Sequence, residues 1–197
     1  MSTVAKYFNE AAGSYNDKSS KGLWAFLRRL ESVAVMKAVD PFQGMTCIEL
    51  GCGAGFYISR LLSCDPSLLV AVDISENMLG ELNDSRVKRV RADIENINFK
   101  VAFDRVLCAG VIEFLPDIKN FLTNLKTLLS VSGKAVLLMP ESGVFGRFYR
   151  AFHRAHSVQV SLYKVDELEY LLEVNHLKIE KQYLPTPMTR VLVITHD

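Results

Sequence analysis

Short apolar runs recur along the middle of the chain, and most are followed by a turn signal and a helical pattern. The runs are MTCIEL, LLVAVD, the weaker VKRVRAD, FDRVLCAG and GKAVLLMP. Between them, GFYISRLL, SENMLGEL and PDIKNFLTNLKTLL place apolar residues at helical spacing. The runs are nearly continuous in apolar residues instead of alternating with polar ones, as strands covered on both faces must be. Repeated strand–helix units with short loops predict a parallel, doubly wound α/β sheet with right-handed crossovers. Ser75 reads as the N-cap of the second helix, and Pro116 as the opening of the third.

The two ends depart from this rhythm. TVAKYFNEAA is a short amphipathic helix broken at Gly13. The next helix sets Trp24, Leu27, Leu30, Val33 and Ala34 on one side and Arg28, Arg29 and Glu31 on the other, and ends at Pro41 and Gly44. Late in the chain, VDELEYLLEVN reads as a helix with Asp166 as N-cap and Glu169 completing a capping box. LKIEKQYL and RVLVITHD follow, joined only by PTPMT, a link so short that the two strands must be antiparallel.

With 197 residues, one well-filled domain is expected over 1–197. It divides into a helical cap (1–43), a core (44–140), a lid-like insertion (141–163) and a closing helix and hairpin (164–197). A formal net charge of +1 gives no overall basic field, so nucleic acid is not the expected partner. The four cysteines form no CxxC pair and have no metal-ligand spacing, so no metal is expected. Cys47 and Cys108 fall inside strands and read as reduced core thiols, which favours a cytoplasmic setting. The N-terminal segment is polar and mixed in charge, unlike a signal peptide, and no apolar run is long enough to span a bilayer.

Chemistry concentrates where the first strand ends. In IELGCGAGF, Glu49 is followed by glycines at 51, 53 and 55. Such a loop lets a ligand approach bare backbone, and its amides favour an anionic group. The spacing departs from the dinucleotide fingerprint, which has Gly or Ala where Phe56 stands. Asp73 ends the second strand, where a carboxylate can accept both hydroxyls of a ribose, and Asp93 follows the third. The fourth strand ends in the small residues Ala109 and Gly110.

From about Met45 onward the chain resembles a class I S-adenosylmethionine-dependent methyltransferase. The resemblance rests on IELGCGAG, AVDISENML, RADIENINF, FDRVLCAGVIEFLPD and the closing hairpin. It implies a seven-stranded Rossmann-like sheet, mostly parallel with an antiparallel C-terminal strand. S-adenosylmethionine would be the cofactor and S-adenosylhomocysteine its product. Gly51, Cys52 and Gly53 would line the methionyl part, beside Ala109, and Glu49 would face its ammonium. Asp73 would hold the ribose. Ile74 would pack on the adenine, whose amino group Asp93 would accept and whose ring nitrogen would meet the Ile94 amide. Met78 and Gly110 belong to the same set. Tyr15 and Tyr7, in a segment that closes over the cofactor in this family, are further candidates.

GVIEFLPD resembles the EVLEHLPD stretch of small-molecule methyltransferases, with Gly110 replacing a Glu and Phe114 a His. Glu113 remains as a polar contact or a helix-entry charge. The NPPY and DPPY patterns of enzymes that methylate nucleic-acid amines or glutamine are absent. The insertion GVFGRFYRAFHRAHSVQVSLYK sets Arg147, Arg150 and Arg154 on one helical face and Phe145, Phe148 and Phe152 on another. Three readings stay open for it: a lid over an acidic or lipophilic acceptor with His153 or His156 as base, a solvated surface helix, or a peripheral contact with a membrane. The leading function is methyl transfer to a small-molecule acceptor. The alternative is a non-catalytic module that binds the cofactor or its product and acts through a partner.

Overall fold

The computed structural model describes residues 22–155 and 158–197. Helix α1 (Gly22–Val39) leads into the alternating part, which runs β1 (Thr46–Leu50), α2 (Ile58–Leu62), β2 (Leu68–Asp73), α3 (Glu76–Gly80), β3 (Val87–Arg91) and β4 (Phe103–Ala109). A single 3₁₀ turn (Ile112–Phe114) precedes α4 (Ile118–Leu128) and β5 (Leu129–Pro140). The remainder is α5 (Val144–Ala155), α6 (Val165–Val174), β6 (Leu177–Thr186) and β7 (Thr189–His196).

The strands form one sheet in the order β3-β2-β1-β4-β5-β7-β6. Neighbours from β3 to β5 are parallel, and β7 is antiparallel to both β5 and β6. This is the doubly wound seven-stranded arrangement that the sequence predicts. Successive residues of the central strands face opposite cores. Ile48, Val106, Cys108, Ala135 and Leu137 pack with α4 and α6, whereas Cys47, Leu107, Val136 and Leu138 pack with α1, α2 and α3. Both faces are apolar because both are covered, which is why the runs show no alternation.

Local signals hold at some helix ends and fail at others. The Ser75 hydroxyl accepts the Met78 amide at 3.2 Å, the expected cap. In α4 the cap is Asp117, whose carboxylate accepts the Lys119 amide at 2.9 Å, so Pro116 lies before the cap instead of opening the helix. Helix α6 starts after Lys164 with no side-chain cap, and Asp166 sits within its first turn.

Helix α1 is rotated from the orientation its apolar pattern suggests. Its buried positions are Ser32, Val35, Ala38 and Val39, whereas Leu30 is 37% and Val33 63% exposed. The Trp24 side chain lies outside the described set. Two tertiary anchors set the rotation. The Arg105 guanidinium donates to the carbonyls of Val39 and Asp40 at 2.5 and 3.0 Å, capping the helix from the start of β4. Glu31 accepts the Thr189 hydroxyl at 2.9 Å. These bonds outweigh a periodic preference of a few exposed apolar side chains.

Candidate functional site

Strand order reverses between β1 and β4, which pair with each other while the strands that follow each of them are added toward opposite edges of the sheet. Carboxyl ends of strands at such a reversal leave a crevice. A cleft of about 210 Å³ opens there. Glu49, Gly51, Cys52, Gly53, Asp73, Ile74, Met78, Asp93, Ile94, Ala109 and Gly110 all line it. Four separate strand ends therefore bring eleven of the twelve predicted cofactor residues to one place. Tyr15, like Tyr7, lies outside the described residues.

The glycine loop is held by the protein itself. The amides of Gly51 and Cys52 donate to the Val72 carbonyl at 2.8 and 2.9 Å, and that of Gly55 to the Cys52 carbonyl at 3.0 Å. Gly53 donates to Asp73 Oδ2 at 2.8 Å. These amides fix the loop instead of standing open to an anion, contrary to the simple reading of a glycine loop. At Gly53 the backbone has φ +51° and an added Cβ would meet nothing, because the cleft lies in front of it. Gly55 serves packing: a Cβ there would come within 2.2 Å of Leu82 Cδ2.

The acids are desolvated. Glu49 is only 2% exposed, and its Oε2 has no hydrogen-bond partner among the described residues. Burial pushes its carboxyl well above the usual carboxylate range, and the charge of Asp73 adds to the effect. Asp73 is raised by burial too, but the amides of Ser75, Gly53 and Ile74 oppose the rise. Its Oδ1 accepts the Ser75 amide at 2.8 Å, and each of its oxygens keeps accepting capacity beyond these bonds. Asp93 is exposed at the rim and accepts the Glu95 amide at 3.1 Å. Burial raises the thiol of Cys52 as well.

Sequence reasoning missed Arg28. It lines the cleft from α1, with its guanidinium carbon 3.9 Å from the centre of the Phe56 ring. The Arg60 guanidinium covers the same ring at 3.8 Å. Phe56 is thus flanked by two cations, each attracted by the ring quadrupole. A cleft with two buried acids has a reason to recruit a cation from elsewhere, and the acids Glu49 and Asp73 were the one signal the sequence offered.

The predicted catalytic residues lie apart from the cleft wall. In the 3₁₀ turn, Phe114 faces the cleft and Glu113 is turned away. Glu113 is buried against α5, where Oε1 accepts the Tyr149 hydroxyl at 3.4 Å. Burial holds its carboxyl up at about 7. His153 is buried edge-on to Phe114 and Tyr149, with ring centres 5.4 and 4.4 Å apart. His156 lies outside the described residues. No cluster of His, Cys, Asp and Glu with metal-binding potential occurs among the described residues, and no described helix is long and apolar enough to cross a membrane.

A sheet of this order, with a cleft at this reversal, defines the class I S-adenosylmethionine-dependent methyltransferase fold. The family model described as a methyltransferase domain matches residues 48–137. Among curated proteins, it is 29% identical over 111 residues to a tRNA U34 carboxymethyltransferase of Haemophilus influenzae, covering 52% of this chain and 35% of that protein. It is 25% identical over 191 residues to a malonyl-(acyl-carrier protein) O-methyltransferase of Bacillus anthracis, covering 87% and 68%. The chain thus spans about a third of the first relative and two thirds of the second. Magnesium protoporphyrin IX methyltransferase from Synechocystis PCC 6803, solved with bound SAH, superposes with a TM-score of 0.78 at 17% identity, covering 98% of each chain. An S-adenosylmethionine-dependent methyltransferase from Mesorhizobium loti gives 0.72 at 18% identity, covering 84% and 97%.

Proposed function

We propose that this chain binds S-adenosylmethionine and transfers its methyl group to a small-molecule acceptor. The observation that carries the reading is Glu49. A buried carboxylate with an unsatisfied oxygen in a cleft fits an ammonium, and it would repel the pyrophosphate of a dinucleotide. Open space before Gly53 fits a ligand lying against backbone. In this reading Glu49 meets the methionyl ammonium and Arg28 its carboxylate. Asp73 accepts from the ribose, while Ile74, Ile94 and Met78 pack the adenine end and Asp93 takes its amino group.

When bound, the cofactor supplies a methyl carbon whose bond to sulfur breaks as the acceptor's lone pair takes that carbon, the bonding electrons returning to sulfur. The chain's contribution is alignment and exclusion of water, which can supply on the order of 7–11 kcal/mol. Ala109, Gly110, Val111 and Phe114 leave an apolar wall with little polar chemistry on the acceptor side. Such a wall suits an acceptor that brings its own nucleophile, such as a carboxylate on an apolar body. An alignment over 87% of the chain is with a protein whose name specifies an acyl substrate, whereas the one with a tRNA-modifying protein covers 52%, which supports this choice over RNA.

Glu113 and His153 act in this scheme as positioning residues that hold α5 against Phe114. The test has two stages. Calorimetry with S-adenosylmethionine, S-adenosylhomocysteine and NAD should show binding of the first two only; NAD binding alone would overturn the ligand. Tritiated methyl transfer to medium-chain dicarboxylic acids and their thioesters should then follow. Tight cofactor binding with no transfer to those acids, to RNA or to lipids would favour a binding module.

A further inference from the structure

Helix α5 has three faces of different chemistry. Gly146, Tyr149 and His153 turn inward and pack with Phe114, Val158 and Val160. A Cβ at Gly146 would stand 1.8 Å from the Glu141 carbonyl oxygen, so the helix is pressed onto the chain that precedes it. On one outer flank, Phe145, Phe148 and Phe152 are 51%, 71% and 59% exposed. On the other flank lie Arg147, Arg150 and Arg154, all exposed. The helix contains no acid, and no ion pair among the described residues engages these arginines. At 3.6 residues per turn the two stripes run along the length of the helix on nearly opposite flanks, either side of an outward ridge.

A row of exposed phenyl rings is unfavourable on a surface that faces only water. An apolar protein groove would cover the rings but has no use for three cations on the opposite flank. Both stripes are satisfied at once by a surface that is apolar beneath a negatively charged layer. We propose that α5 is an interfacial helix that seats this protein on an anionic lipid surface. The phenyl stripe enters the boundary between headgroups and acyl chains, and the arginines meet the lipid phosphates. Because the inner face of the same helix packs on Phe114, and Phe114 lines the cleft, docking through α5 would hold the cleft close to the lipid surface and to an acceptor dissolved in it. That purpose rests on the proposed methyl transfer; the docking itself does not.

The experiment is sedimentation of the full chain with vesicles of phosphatidylcholine alone and with about a third phosphatidylglycerol, at low and high salt. The expected result is binding to the anionic vesicles, weak binding to neutral ones, and release as salt rises. Phe148→Ser with Phe152→Ser should abolish binding. Arg147→Gln should lower the partition coefficient about fivefold, and Arg150→Gln by a similar factor. Equal sedimentation with and without phosphatidylglycerol, or none with either, would overturn the proposal whatever the variants do. So would undiminished binding by the double phenylalanine variant. Vesicle binding without any methyl transfer would sink the enzymatic reading alone, and transfer without vesicle binding would sink only this one.

Discussion

Asp73 Oδ2 accepts the backbone N–H of Gly53 at 2.8 Å, so the acid that ends one strand holds the glycine loop that follows its neighbour. Asp73 and the glycine loop are therefore one mechanical unit. Replacing Asp73 with Ala removes the proposed ribose contact and also frees the Gly53 and Ser75 amides. Hydrogen bonds to a charged group contribute about 1.5–3 kcal/mol each, so S-adenosylmethionine affinity should fall at least tenfold and the melting temperature should drop. Asp73→Asn keeps one acceptor for two amides and should lie between the two. Unchanged affinity in the Ala variant, measured by calorimetry, would remove Asp73 from the cofactor site.

Glu49 gives a signature in protons. Burial favours its protonated form in the unliganded protein, and an ammonium placed beside it favours the charged form. Binding of S-adenosylmethionine near neutral pH should therefore release protons. Calorimetric heats measured in phosphate and in Tris should differ in proportion to the two buffers' ionisation enthalpies. In Glu49→Gln the difference should vanish and affinity should fall. Heats identical in both buffers for the native protein would show that Glu49 does not change its protonation on binding.

The glycines should separate binding from folding. Both Gly53 and Gly55 have positive φ, so any side chain costs about 1–2 kcal/mol of strain. Gly53→Val places its methyls in the cleft and should abolish cofactor binding with a modest loss of stability. Gly55→Ala drives a carbon into Leu82 and should lower the melting temperature more than Gly53→Ala does. Equal melting temperatures for those two Ala variants would contradict the packing role of Gly55.

Burial pushes the Glu113 carboxyl up to about 7 from an ordinary 4.5, against the opposing pull of its own backbone amide and of the Tyr149 hydroxyl. Between those two values the folded chain holds a proton that the unfolded chain has given up. Its contribution is therefore greatest below pH 4.5 and is lost as pH rises through 7, by about 3 kcal/mol at most. Glu113→Gln mimics the protonated form at every pH. The variant's melting temperature relative to the native protein should accordingly rise between pH 5 and pH 8. A constant difference across that range would mean that Glu113 is not held neutral.

Much of the cleft was legible because its residues sit at strand ends, where sequence position fixes spatial position. Glu49, Asp73 and Ala109 could be placed together from the β-α rhythm alone. Arg28 could not, because the rotation of α1 is decided by Arg105 and Thr189, which are remote in sequence. That Phe114 faces the cleft and Glu113 turns away was hidden for a similar reason. In a tight 3₁₀ turn, neighbouring side chains point about 120° apart, and nothing local says which of the two meets the cleft. The engaged loop amides were equally hidden, since their acceptors, Val72 and Asp73, belong to another strand.

Strand β7 lies between β5 and β6, so β6 reaches the sheet only through the strand that follows it in the chain. This separates two kinds of pairing at this end of the sheet. The parallel strands that carry the cleft take their register from one another, up to β5. The register of β6 is set by β7, its only partner strand. Opening the chain at the turn between β6 and β7 would leave β6 unpaired and the edge of β5 bare, but would touch none of the strand ends that line the cleft. The hairpin is tied to the site through Thr189, which begins β7 and holds Glu31, and with it the rotation of α1 that brings Arg28 to the cleft.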